Sequence, residues 1–361
     1  MSSVLTLRAG PAALRLLRER GLRAADVDCL PAASGGAKWL GIAGLDRYLF
    51  GQFLQAPRDR PLPLIGSSIG SWRMACLAQR DPLAALARGH TAYIHHQRYS
   101  PKPDAAEVSA VLSRALDHLL GAQGVQEILA HPTFRLHVIT AEGRGLAARR
   151  HRVPLSAALS SAAMANVVSR RSLRWHFRRT VFHAGATSAF SHLGDLPTVH
   201  RPLSPTNLSQ TLLASGSIPL LMQGVAIPGA PGMHWDGGVT DYHPALDFGA
   251  GDGLVLYPHF YGHLVPGWFD KGLPWRRAHA TEARLSRVLL IAPSPRFVAG
   301  LPGAKIPDRR DFYSLPEGER IRRWDAIAAA SEVLGEALHE LLETHRIADA
   351  VRPWDAPEDA P

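Results

Sequence analysis

Cysteine is nearly missing from this chain. Cys29 and Cys76 are the only two in 361 residues, which excludes a disulfide framework and a cysteine-built zinc site. Cys29 falls in an apolar, strand-like run and Cys76 on an expected helix, so both read as small core hydrophobes. Histidine is plentiful at 18, yet no HExxH or comparable ligand spacing links any of them, the adjacent His95-His96 included. No metal and no other cofactor is therefore expected. The chain also lacks G-x-x-x-x-G-K-[ST] and G-x-G-x-x-G, so the phosphate-loop readings fit poorly.

Long apolar runs are lacking as well. The longest uncharged stretch of helical character, Val153 to Ser169, is rich in Ala and Ser and marginal for spanning a bilayer. The uncharged run from Pro202 to Trp235 is broken by Pro and Gly. Arginines interrupt the N-terminal stretch throughout, and no charged start is followed there by an apolar segment, so it does not read as a secretory signal. A cytoplasmic location is expected, with peripheral membrane contact left open. The formal charge of +9, most of it from arginine, suits an anionic membrane surface or an anionic lipid as well as an ordinary solvated surface. The basic residues are scattered and no nucleic-acid-binding motif occurs, so nucleic acid is not an expected partner.

What is present is globular. Hydrophobic residues make up 46% and charged residues 20%, enough for a proper core, and 32 Gly with 28 Pro point to many turns between short elements. Strand-like runs (Val27 to Ala33, Leu62 to Ile65, Phe134 to Thr140, Leu173 to Phe182, Leu254 to Tyr257, Val288 to Ile291) alternate with helical spacing. Helices are expected over Pro11 to Gly21, Trp39 to Phe50, Pro82 to His96, Ala105 to Leu129, Leu155 to Val168, Ser204 to Ala214 and Ile321 to Ile347. Alternation of this kind predicts an α/β fold, a three-layer α/β/α sandwich on a mostly parallel central sheet. No repeat or linker appears. Residues 1–351 are read as one domain with its motif core at about 27–260, and the Pro- and acid-rich residues 352–361 as a loose tail.

Two strand–glycine–helix units carry the chemistry. In the second, an apolar run leads into Gly66-Ser67-Ser68-Ile69-Gly70 and then a helix, the setting a G-x-S-x-G nucleophile elbow requires. The turn is too tight for side chains at its flanks, which accounts for Gly66 and Gly70 and pushes the Ser68 hydroxyl up over a helix N-terminus. The bland reading is a glycine-rich turn without chemistry. In the first unit, Ser34-Gly35-Gly36-Ala37-Lys38 follows a strand and opens a helix. Exposed amides there, beside a serine nucleophile, suit an oxyanion hole. Lys38 adds positive potential or is a surface charge. Further on, Met233-His234-Trp235 runs into Asp236-Gly237-Gly238, a strand and a sharp turn.

Taken together, the S-G-G-A-K loop, the G-S-S-I-G elbow, and Ala214-Ser215-Gly216-Ser217-Ile218-Pro219 followed by Asp236-Gly237-Gly238-Val239 resemble the patatin-like lipid acyl hydrolases, or patatin-like phospholipases. The resemblance covers roughly residues 27–260, and its A-S-x-x-x-P block with D-G-G is the part that α/β-hydrolases lack. It implies that Ser68 is the nucleophile and Asp236 its base, a dyad without histidine. It implies that the amides around Gly35, Gly36 and Ala37 form the oxyanion hole, with Gly66, Gly70, Gly237, Gly238 and Lys38 as supporting motif residues. Ester substrates suit such a pair, because returning a proton to an alcohol asks less of the aspartic acid than expelling an amine. Lipid or other carboxylic esters are thus the expected substrates. The chain departs from the family at four points. The first loop has two glycines where three are common, Trp39 stands where glycine is usual, Ser67 stands where threonine is common, and a helix precedes the first strand.

Other readings stay open. Ser68, Asp236 and then His243, His259 or His263 have the chain order of a Ser-His-Asp α/β-hydrolase. A fold of this kind can also bind lipid or protein without turnover, and an acyl-enzyme can pass its acyl group to an alcohol instead of water. The stretch Tyr257 to Trp275, with two Trp, two Phe and two Tyr, reads either as an interfacial lid or as a long loop packed on the core.

Overall fold

The computed structural model describes residues 4–279 and 282–356. Ten strands form one sheet: β1 (Leu5–Ala9), β2 (Val27–Ala32), β3 (Leu62–Ser67), β4 (Phe134–Gly143), β5 (Phe177–His183), β6 (Thr198–Pro202), β7 (His234–Asp236), β8 (Leu254–Pro258), β9 (Val288–Pro293) and β10 (Arg352–Pro353). Their order is β10-β1-β9-β8-β2-β3-β4-β5-β6, with β7 paired to β4. The five central strands β9, β8, β2, β3 and β4 run parallel, while β1, β5 and β7 pair antiparallel with β9, β4 and β4. Central strands such as LPLIGS and VLLIAP are buried at nearly every position, as strands covered on both faces must be.

Helices cover the sheet. They are α1 (Pro11–Arg20), α2 (Ala43–Gly51), α3 (Ile69–Leu77), α4 (Pro82–His95), α5 (Ala105–Leu120), α6 (Gly124–Ala130), α7 (Arg152–Val168), α8 (Leu208–Ser215) and α9 (Gly238–Asp241). Then come α10 (Pro295–Ala299), α11 (Asp311–Ser314), α12 (Glu317–Ala330), α13 (Glu332–Glu343) and α14 (Ile347–Ala350). The fold is α/β, a mostly parallel sheet flanked by helices, as the alternation of patterns predicted. Among the described residues no helix is long and apolar enough to cross a membrane.

Several boundaries differ from the sequence reading. The single helix expected over 321–347 is three. Its first break falls at Ser331, whose buried hydroxyl donates to the Ala328 carbonyl (2.7 Å) and accepts from the amide of Gly44 (2.9 Å). That contact brings α2 and α13 backbone to backbone. The expected helix start at Ser204-Pro205 is a turn, because the Asn207 side chain holds the Ser204 amide (2.8 Å) and α8 begins at Leu208. Trp39 does not begin an α-helix. Gly36–Ile42 is a 3-10 turn, and Trp39 packs edge-on against His90, with 4.5 Å between ring centroids. The tail is not loose at its start. Arg352 and Pro353 pair with Arg8 and Ala9, and the buried Trp354 donates from Nε1 to the Ala278 carbonyl (3.1 Å). Residues 357–361 lie outside the described residues.

One buried ion pair ties the two motif helices together. Arg73 on α3 donates from Nε and Nη2 to both oxygens of Asp46 on α2, at 2.8 and 2.6 Å, and neither side chain meets solvent. Removing one partner of such a pair leaves a charge buried alone. Asp46→Ala is expected to destabilise the protein by about 3–5 kcal/mol in chemical denaturation. A loss below about 1 kcal/mol would mean that other contacts hold the two helices.

Candidate active site

The sheet register brings the three motifs together. β2 and β3 are parallel neighbours with Ala32 opposite Gly66, so the loops that leave their carboxyl ends lie side by side. Ser67 is opposite Ile139 on β4, and Thr140 is opposite Asp236 on β7. Ser68, one residue past β3, and Asp236, the last residue of β7, therefore meet at one edge. The Ser68 hydroxyl donates to Asp236 Oδ2 at 2.8 Å.

The elbow is strained. Ser68 has φ 54° and ψ −131°, a region an L-residue enters only when its surroundings hold it there. A Cβ on Gly66 would sit 2.5 Å from the carbonyl carbon of Gly70 and the amide of Ser71, and one on Gly70 would strike the Ala32 carbonyl. Gly237 passes as closely over the Ile139 carbonyl. The turn is pinned from several sides. The Ser68 amide donates to Ser215 Oγ (2.9 Å), and that hydroxyl donates to the Ile139 carbonyl (2.7 Å). The amides of Asp236 and Gly237 donate to the carbonyls of Ser217 (2.9 Å) and Ser215 (3.0 Å). The A-S-G-S-I-P stretch and the D-G-G turn are thus one structure.

A polar column lies beneath. Ser34 Oγ is 2.8 Å from Ser67 Oγ, which donates to the Asp241 carbonyl (2.6 Å). The Asp241 carboxylate is gripped by the buried Arg179 through two bonds of 2.7 Å, and Arg179 also holds Asp195 at 2.6 and 3.0 Å. Motif reading missed Ser215 and this column. Ser215 lay within a quoted motif without a role, and Arg179 lay in an expected strand with no partner visible in the sequence.

Asp236 is set up as a base. Burial pushes its carboxyl from 3.8 up to about 6, against the Gly238 amide (2.6 Å to Oδ1) and the Ser68 hydroxyl, which favour the charged form. No described histidine bonds to the Ser68 hydroxyl. His243 accepts from the Val265 amide at Nδ1 (3.0 Å) and His259 from the Tyr261 amide (2.8 Å), and burial holds both rings well below their ordinary pKa. The Ser-His-Asp order is present in the chain, but the described contacts join serine directly to aspartate.

Gly35 and Gly36 line the cavity beside Ser68, whereas Ala37 lies behind them, buried. Gly36 has φ +57°, which glycine adopts freely, and it turns the chain from strand to 3-10 turn. The first bond of that turn runs from the Lys38 amide to the Gly35 carbonyl (3.4 Å), so the amides before Lys38 have no acceptor within the turn. The Ile69 amide, at the start of α3, is equally without a partner in its helix, a donor the motif reading did not name.

The cavity has a volume of about 910 Å³ and two kinds of wall. Val108 and Leu112 of α5, with Ile218, Leu221 and Met222 after α8, supply apolar surface. Lys38, Lys271, Arg309 and Arg310 supply positive charge, and none of the four has an ion-pair partner among the described residues. The Asp308 side chain beside them is paired with Lys305 (3.6 Å). Burial, and then the charges of Lys38 and Arg309, lower Lys271 to about 7. The residue is exposed as a whole, but its ammonium sits 3.8 Å from the centre of the Tyr242 ring. The aromatic stretch 257–275 divides. Tyr257, Phe260 and Leu264 are core residues, Trp268 and Lys271 line the cavity, and Trp275 is exposed.

No protein-family model and no curated protein matches the chain. The site stands on its own geometry.

The strain at Ser68 is measurable. Ser68→Gly is expected to raise stability by about 1 kcal/mol while abolishing any serine chemistry. Unchanged or lower stability would mean that the elbow conformation carries no strain.

Proposed function

We propose that this protein is a serine ester hydrolase of the phospholipase A, lysophospholipase or esterase type, acting on lipid carboxylic esters through Ser68 and Asp236. The observation that carries the reading is the 2.8 Å bond from the Ser68 hydroxyl to a buried carboxylate whose proton affinity is raised. The resemblance of three motifs to patatin-like phospholipases supports it, and so does a cavity with apolar walls for an acyl chain and unpaired cations for an anionic headgroup.

In this mechanism Ser68 Oγ attacks the ester carbonyl carbon as its proton passes to Asp236 Oδ2. The amides of Gly35 and Gly36 and the Ile69 amide at the helix start face the developing oxyanion. Collapse of the tetrahedral intermediate breaks the bond to the alkoxide, which takes the proton back from Asp236. A carboxylate with a pKa near 6 is a better base than an exposed aspartate near 3.9, and once protonated it stands where it can return the proton to the alkoxide. Water then attacks the acyl-enzyme, again giving its proton to Asp236, and collapse of this second intermediate breaks the bond to Ser68 Oγ, which takes the proton back from Asp236 as the fatty acid leaves.

A fluorophosphonate probe is expected to label the protein at Ser68, and both Ser68→Ala and Asp236→Asn to abolish labelling. His243→Ala, His259→Ala and His263→Ala should each retain it within about tenfold, since a triad would lose several orders of magnitude with its base. No labelling of the unaltered protein would favour a lipid- or protein-binding role.

The pH profile tests the base itself. Only ionised Asp236 accepts the serine proton, so kcat/KM on a short soluble ester should fall about tenfold per unit below pH 6 and level off above it. A midpoint near 4 would mean that Asp236 is not desolvated in solution.

A further inference from the structure

The helix α7 differs from the other long surface helices. Exposed positions on α5 include Arg114, Asp117 and His118, and those on α13 include Glu332, Glu336 and Glu340. On α7, past the exposed Arg152 at its first position, the outward positions are Val153, Ala157, Ser160, Ser161, Met164, Val167 and Val168, without a charge among them. Val153, Met164 and Val168 are 82%, 70% and 85% exposed. The inward face, with Leu155, Ala158, Leu159 and Ala162, already supplies the packing, so the outward apolar groups do nothing for the fold.

Positive charge brackets this face. Between Glu142 and Asp195 the sequence holds nine arginines and not one Asp or Glu. Of these, Arg170, Arg178 and Arg179 are in ion pairs. Arg149, Arg150 and Arg152 stand exposed at the start of α7, where they oppose the helix dipole, and Arg171 and Arg174 stand exposed just past its end. Five exposed arginines without an ion pair among the described residues therefore stand at the two ends of this helix.

The same helix is fixed to the cavity rim. Arg276 Nη2 donates to the carbonyls of Asn166 (3.1 Å), Val167 (3.3 Å) and Val168 (3.0 Å), the last turn of α7. Asn166 Nδ2 donates to Asp270 Oδ1 at 2.7 Å. Asp270, Leu273 and Arg277 line the cavity, and Trp275, 61% exposed, stands between the last two.

We infer that α7, with Trp275 beside it, is the face by which this protein docks on an anionic lipid bilayer, bringing the cavity mouth to the lipid surface. An uncharged outward stripe with arginines at both ends suits a helix lying in the interface plane, its apolar groups in the acyl boundary and its guanidinium groups among the phosphates. The 17-residue helix is about 25 Å long, enough to lie across many headgroups. A nucleic acid would be met by charge along the contacting face, and a second copy of this face would set the same arginines against one another. The link from docking to catalysis rests on the hydrolase reading; the docking is tested without it.

The full chain is expected to sediment with phosphatidylcholine vesicles containing one-third phosphatidylglycerol and to stay in the supernatant with phosphatidylcholine alone. The double variants Met164→Asp/Val168→Asp and Arg171→Glu/Arg174→Glu should each weaken binding by about tenfold or more, with cooperative thermal unfolding retained. Val333→Asp on α13 serves as the surface control and should bind as the unaltered protein does. Fluorophosphonate labelling of Ser68 without vesicles should be the same in all of them. Failure of the unaltered protein to bind anionic vesicles, or full binding by either α7-side variant, overturns the inference. So does a fall in oligomeric mass caused by Met164→Asp/Val168→Asp, which would put α7 in a protein interface. Vesicle binding through α7 by a protein that takes no label keeps the docking surface and removes the hydrolase.

Discussion

Backbone meets backbone at the carboxyl edge of this sheet with no space for side chains, and the site depends on that contact. Gly66 lies against Gly70, Gly70 against the Ala32 carbonyl, and Gly237 against the Ile139 carbonyl. With side chains excluded, the ends of β2, β3 and β7 close to within hydrogen-bonding reach, and Ser68 is forced to a positive φ with its hydroxyl on Asp236. The register of four strands sets this geometry. Because the side-chain period of a strand is two, a slip of one residue in β7 would turn Asp236 to the opposite face and present Trp235 or Gly237 instead.

Why Asp236 suits the part of a base better than the other buried carboxylates follows from what each one faces. Asp46 is met by the Arg73 guanidinium, and Asp241, five residues along from Asp236, by that of Arg179. Asp236 is met by one hydroxyl and one amide, both neutral. Two neutral hydrogen bonds do not offset the loss of water, and its pKa climbs from 3.8 to about 6. A rise of that size corresponds to roughly 3 kcal/mol of unfavourable ionisation at neutral pH, held in place by the rest of the fold. The arginine clamps next to it add the rigidity that keeps the carboxylate in this position.

The parts of this site that showed in the sequence are those where geometry leaves a residue-type signature. Close packing selects glycine, against backbone at Gly66, Gly70 and Gly237 and against side chains at Gly35 and Gly238, and a positive φ selects it at Gly36, so these positions could be read, and with them Ser68 and Asp236. The parallel core strands showed because burial on both faces gives unbroken apolar runs. What stayed hidden was fixed by partners distant in the chain. β1 was missed because a five-residue run containing Arg8 becomes a strand only when β9 pairs with it. Ser331 breaks a periodic helix because its hydroxyl takes an amide from Gly44, some 290 residues earlier, and nothing local marks it. Ser215, Arg179 and Lys271 likewise gain their roles from contacts made across the sheet edge or the cavity.

Charge shows the same contrast between sequence and space. The net charge of +9 is a property of the whole chain, but in physiological salt a charge acts over only about 8 Å. Arginines on the far side of the sheet therefore contribute little to any surface that the cavity mouth meets. Those bracketing α7 do contribute, as do Arg277 at the rim and the unpaired Lys38, Lys271, Arg309 and Arg310 inside. An anionic ester leaving an anionic surface would meet positive charge at each stage, first along α7, then at the rim, then within 910 Å³ of half-apolar space that ends at Ser68. Among the described residues none of these cations is in an ion pair with a carboxylate, which leaves the positive potential to be met by something other than the protein.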